Sequence, residues 1–102
     1  MDYKTDIAKY TGSINDKAVD AIVKFCGIAL QSRDASLVSC TDEAEVDRIR
    51  KGFATKVLGL SEAESDKIIN LVCEKMKADK TKHRVTFYYL MAEASGKIGA
   101  LA

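Results

Sequence analysis

Proline and tryptophan are absent from this chain, and histidine occurs once, at position 83. Proline breaks helix interiors and favours turns and edge strands, so a chain without it leans towards helices joined by short links. Long apolar runs are missing too. The longest, "FYYLMA" from Phe87 to Ala92, falls far short of the roughly 20 residues a membrane-spanning helix needs. The first ten residues, "MDYKTDIAKY", hold acids at Asp2 and Asp6 and lack the apolar stretch of a secretory signal. Charge of one sign is not in excess: 16 basic against 15 acidic residues leave +1, which gives no global attraction to nucleic acid or an anionic membrane. There is no glycine-rich phosphate loop, acidic metal loop or nucleophile elbow. Cysteine is sparse, and Cys26, Cys40 and Cys73 are odd in number with no close pair. The expectation is three free thiols in a reducing cytoplasm.

What is present describes one globular domain over residues 1–102, with 47% hydrophobic and 30% charged residues, far from the composition of a disordered chain. At 11.2 kDa, area scaling gives a folded surface of about 5,700 Å² and burial of roughly 65% of the extended chain. The pattern predicts a compact all-α fold of four to five short helices. Tyr3, Ile7 and Tyr10 follow helical spacing. Asn15 is a candidate N-cap for a second helix with Val19, Ile22, Val23 and Cys26 on its buried stripe, and Gly27 ends it. Ile28, Leu30, Leu37 and Val38 are expected to be buried, in a segment (28–40) that reads equally as a broken helix or an ordered loop. Within it, Arg33 and Asp34 of "SRDAS" suit a turn braced by side-chain hydrogen bonds. Thr41 or Asp42 caps a third helix with Val46, Ile49, Phe53 and Val57 inward, ended by Gly59. "SEAE" at Ser61–Glu64 is a capping box for a fourth helix, which carries Ile68, Ile69, Val72, Cys73 and Met76.

The last long segment contains "RVTFYYLMAEA". Taken alone it is rich in strand formers, but no partner strand exists elsewhere, and the run continues into strong helix formers. A helix is predicted, capped by Asp79 or Thr81 and ended by Gly96. Tyr88 and Tyr89 are expected in the core with hydroxyls that reach a partner. Such a helix is apolar nearly all round. With one face on the protomer core, Phe87, Leu90, Met91 and Ala94 form a candidate homodimer interface.

Three chemical readings follow. Charge is uneven along the chain: from Lys75 onward there are 6 basic and 2 acidic residues. Lys75, Lys77, Lys80, Lys82 and Arg84 form a candidate anion-binding stretch, which supports nucleic-acid binding or a regulatory role as the second functional reading. His83, or Cys40 just ahead of a helix start, supplies the candidates for a small enzyme. His83 more simply reads as a solvated first-turn residue beside like charges. The three cysteines and His83 match zinc ligand types but not ligand spacing, so no metal, cofactor or catalytic residue is assigned.

Three segments carry a family resemblance: "DYKTDIAKYTG", "RDASLVSC" and "MKADKTKHRVTFYYLMAE". Together they resemble a family of small bacterial proteins catalogued as a domain of unknown function, numbered twenty-eight fifty-three. The resemblance implies a small bacterial, cytoplasmic, helical domain and transfers no activity. The leading expectation is a non-enzymatic protein-association module acting as a homodimer.

Overall fold

A computed structural model describes residues 3–32 and 35–101. The fold is all-α. Its α-helices are α1 (Tyr3–Ile7), α2 (Asp16–Cys26), α3 (Glu43–Ile49), α4 (Glu62–Lys75), α5 (Arg84–Ala94) and α6 (Ile98–Leu101). A 3₁₀ turn over Gly27–Gln31 extends α2, and a π-helical segment over Arg50–Val57 continues α3. The expected four to five helices correspond to α1 to α5, and α6 is a short addition that was not expected.

Caps set the boundaries. The Asn15 side chain accepts from the Ala18 N–H at 3.0 Å, and Asp42 accepts from Ala44 and Glu45. Ser61 and Glu64 form the reciprocal capping box, each bond 3.2 Å. Gly27 closes α2 at φ 47° and Gly59 follows the π segment at φ 67°, a left-handed region open to glycine at little cost. α5 departs from the expected cap. It begins at Arg84 with His83 in the N-cap position and no side-chain cap. Asp79 is used otherwise: it accepts from the Thr81 N–H at 3.0 Å and from the Tyr10 hydroxyl at 2.7 Å, which ties the turn after α1 to the turn before α5.

The single α-helix expected from Glu43 to Val57 widens at Arg50. Glycine at 52 weakens the α-helical preference, and the Thr55 hydroxyl donates to the Arg50 carbonyl five residues back at 2.7 Å. The wider turn keeps Ile49, Phe53 and Ala54 buried.

α5 is the axis of the core. Nine consecutive residues, Arg84 to Ala92, are buried. It packs against α2 on one side, α4 on another, and α1 and α6 at its flanks. Phe87 and Met91 are fully covered by their own chain and Leu90 is nearly so, while Ala94 is exposed. The proposed dimer face is therefore corrected: three of its four residues are protomer core. The chain's surface of 5895 Å² is close to that of a self-contained globule of this mass. Tyr89 behaves as expected, accepting from the Asn15 N–H at 2.9 Å and donating to the Ser13 carbonyl at 3.3 Å.

The described part of segment 28–40 falls in the 3₁₀ turn and in an irregular strap over residues 35–41. The strap lies against the start of α5, where Val38 N–H donates to Lys82 O and Arg84 N–H to Ser36 O, both at 2.8 Å. Val38 is buried as expected, and Leu30 and Leu37 are half-buried. Ile28 is not: it is 83% exposed, because the turn at Gly27 swings it off the α2 stripe. Arg33 and Asp34 lie outside the described residues.

The expectation of free thiols is also corrected. Cys40 of the strap and Cys73 of α4 form a disulfide with Cα atoms 6.0 Å apart. Helix packing brings together two residues that the sequence separates by 33 positions. Only Cys26 is a free thiol, and it is buried.

Candidate functional site

Arg84 closes the candidate anion-binding stretch, where a surface position is expected. Instead it is 5% exposed, and its guanidinium organises one end of the molecule. Nε donates to Ala35 O at 2.6 Å, Nη1 to the Tyr88 hydroxyl at 2.9 Å, and Nη2 to Leu37 O at 3.3 Å and to Glu45 Oε1 at 2.5 Å. The other Glu45 oxygen accepts from Arg48 Nη1 at 2.9 Å. One buried carboxylate thus binds two guanidiniums, and the triad carries a net positive charge. Burial works against the Arg84 charge, but Tyr88 and Glu45 outweigh it and hold the guanidinium above its ordinary pKa. Burial raises the Tyr88 phenol, with Arg84 opposing.

Arg84 and Tyr88 form the floor of a cleft of about 250 Å³ between α2, the strap and the α3–π segment. Its walls are aromatic. Phe53 stacks on Tyr88 with centroids 4.2 Å apart and planes 10° from parallel. Phe25 leans on both, 5.5 Å from Phe53 and 6.3 Å from Tyr88. Cys26, Ala29 and Ala35 add small walls, and Arg48 and Gly52 complete the lining. A methyl built on Gly52 would meet nothing within 4 Å, so the cleft is open there. Burial pushes the Cys26 thiol up to about 11 despite nearby Arg84, which keeps it protonated and inert at neutral pH. None of the lining residues is acidic. Phe25, which lines the cleft, is 48% exposed, and Ile28, between the lining residues Cys26 and Ala29 in the chain, is 83% exposed.

Among the other nominated residues, Lys80, Lys82 and Cys40 share a cleft. Lys75 faces Glu93 at 3.9 Å, Lys77 pairs with Glu74 at 2.9 Å, and Lys82 donates to the Asp79 carbonyl at 2.8 Å. Lys80 is exposed. With Arg84 turned into the core, the five cations are not one surface. Lys80 and Lys82 do line a separate cleft of about 340 Å³ with Leu37, Val38, Ser39, Cys40 and Thr41. His83 is half-buried, its ring edge-on to Tyr3 at 6.3 Å. Cys40 is committed to Cys73, so it is not the free nucleophile the enzyme reading required. A Cys3His zinc set is broken by the same bond, and no His/Cys/Asp/Glu group able to hold a metal occurs among the described residues. Among those residues no helix is long and apolar enough to cross a membrane.

Glu45, Phe25, Ile28, Phe53 and Gly52 were not nominated from sequence. One signal was available. Phe25 falls off the stripe of α2, and a large aromatic on a helix's outer face calls for a partner.

A family model described as "Protein of unknown function (DUF2853)" matches residues 2–99. No curated protein matches the chain.

Proposed function

We propose, for a chain that belongs to the DUF2853 family of proteins of unknown function, a non-enzymatic role in protein association, with the aromatic cleft as the docking site. The supporting observation is the pairing of an exposed apolar rim, Phe25 and Ile28, with a cleft lined by aromatic rings and two guanidiniums and no acid. Concave apolar sites with a few convergent polar groups are the usual places for binding. Unsatisfied apolar area outside the cleft favours a polypeptide over a small molecule, because a small ligand would leave Ile28 uncovered.

The occupant is an acidic segment of another protein that presents one large apolar side chain. That side chain fills the space beside Phe25, and a neighbouring carboxylate meets Arg48, whose side chain is 71% exposed. A second copy of this chain is disfavoured at the same surface, because two-fold pairing would bring like-charged guanidiniums together. The homodimer expectation loses its motive for the same reason, and because Phe87 and Met91 are covered.

The test is amide chemical-shift mapping with blocked peptides, one carrying Phe-Glu-Asp and one carrying Phe-Gln-Asn. Shifts concentrated at Phe25, Arg48 and Gly52, stronger for the acidic peptide and lost in Phe25→Ala, are expected. Scattered or absent shifts at millimolar peptide overturn the site. Equal binding of both peptides overturns the acidic partner. Shifts that change on dilution of the protein alone would instead assign the surface to a second copy.

A further inference from the structure

We propose that the Cys40–Cys73 bond is an exchangeable redox site that takes a dithiol as its reductant, independently of the aromatic cleft. Three observations support it. First, one of the two bonded cysteines borders open space. Cys40 and Cys73 are half-buried, and Cys40 lines two open clefts, one of about 340 Å³ and one of about 530 Å³. An attacking sulfur therefore has an approach without global unfolding. Second, the approach is cationic on one side. Lys80 and Lys82 share the first of these clefts with Cys40. Positive charge attracts an incoming thiolate and stabilises the thiolate that leaves, and both effects speed exchange. Third, the strap has other anchors. The Arg84 guanidinium holds Ala35 O and Leu37 O, the two 2.8 Å backbone bonds hold Ser36 and Val38, and Val38 is buried. Cleavage would free Ser39–Thr41 and leave the strap's first half in place.

The exchange balances in two steps. A thiolate of the dithiol attacks Cys40 Sγ and forms a mixed disulfide. The S–S bond to Cys73 breaks, and Cys73 leaves as a thiolate that takes a proton from water. The second thiolate of the reductant then attacks its own sulfur in the mixed disulfide and releases Cys40 as a thiolate held beside the lysines. Two electrons pass from the dithiol, now a cyclic disulfide, to the two protein cysteines. Reduction loosens the junction between the two clefts, so the expected consequence is a change of shape confined to the strap and the entry to α3.

The test is reduction of the full-length native protein with dithiothreitol, alkylation, and mass mapping, with far-UV circular dichroism alongside. Labels on Cys40 and Cys73, none on Cys26, and an unchanged helical signal are expected. A bond that resists until denaturant is added, or labelling of all three cysteines together, overturns the proposal. Full reduction by glutathione at the same thiol concentration overturns the dithiol assignment. The Lys80→Gln/Lys82→Gln variant should reduce about threefold to tenfold more slowly at low salt. The wild-type rate should also fall as salt rises, and a rate indifferent to both charge and salt removes the lysines from the argument.

Discussion

Arg84 takes a full charge into the interior and keeps it because four acceptors meet its fork. Removing one partner of such a buried pair costs far more than the pair's net worth. Arg84→Met should lower stability by about 3–5 kcal/mol in urea denaturation. Arg84→Lys should recover little, since an ammonium cannot reproduce the planar fork. Replacing both partners, Arg84→Met with Glu45→Leu, should restore much of the loss, because no charge is then left uncompensated. A double variant as unstable as the single would place the cost in the backbone contacts of the strap instead. Cys26 supplies a pH signature. Its folded thiol sits at about 11, from an ordinary 9.0. A group raised by folding contributes stability that is complete below its unfolded value and lost as pH rises through the folded one. Stability should therefore fall between pH 9 and 11 by about 2 kcal/mol. Cys26→Ala should flatten that part of the profile, measured as urea midpoints across pH.

At the scale of elements, the caps do what their residues dictate, and α4 gives the cleanest measurement. Ser61 is exposed, so Ser61→Ala removes the hydroxyl half of the capping box, leaving the backbone N–H bond to the Glu64 carboxylate, with little change in packing, and should cost about 1 kcal/mol. The Glu64 carboxyl is held below its ordinary range by its bonds to the Ser61 backbone and hydroxyl. A depressed carboxylate contributes above its unfolded value and stops contributing as pH falls through the folded one. The Ser61→Ala penalty should therefore shrink below pH 4.5, the unperturbed value. At the other end of the chain, the turn after α1 is tied by Tyr10 to Asp79. Burial and Asp79 raise the Tyr10 phenol to about 12. That tie should be at full strength below pH 10 and weaken progressively as pH rises towards about 12, read from the amide exchange of Ile7 to Thr11.

For the whole molecule, the chain closes its own core around α5, so sedimentation at micromolar concentration should return a single species of 11.2 kDa. The disulfide spans 33 residues, and loop-closure entropy assigns such a link roughly 3–4 kcal/mol. Reduction should lower the urea midpoint accordingly. A domain of this size has about 5–15 kcal/mol in total, which is compatible with a reduced protein that stays folded.

Local features are legible in the sequence. Asn15, Asp42 and the Ser61–Glu64 box announce helix starts because a cap needs only its next three residues. Gly27, Gly59 and Gly96 announce stops because the left-handed turn is decided by one backbone. The apolar stripes of α2 and α4, and the all-round apolar character of α5, follow from a period of 3.6 alone. The family was legible in three segments. What depends on contacts across long separations was not. Cys40 and Cys73 read as unpaired until α4 and the strap were placed side by side. Arg84 read as one more surface cation until Glu45, 39 positions earlier, was seen to meet it. Phe87 and Met91 read as an interface because sequence shows that a helix must be covered, and only the packing of α1, α2, α4 and α6 shows that this chain covers it. The sequence alone determined that the long segments are helical and where α2, α3 and α4 begin, because a cap and a 3.6-residue stripe are local. The tertiary structure decided which charges are buried, which sulfurs are joined and which apolar face stays in water, because those outcomes belong to pairs of residues that only folding brings together.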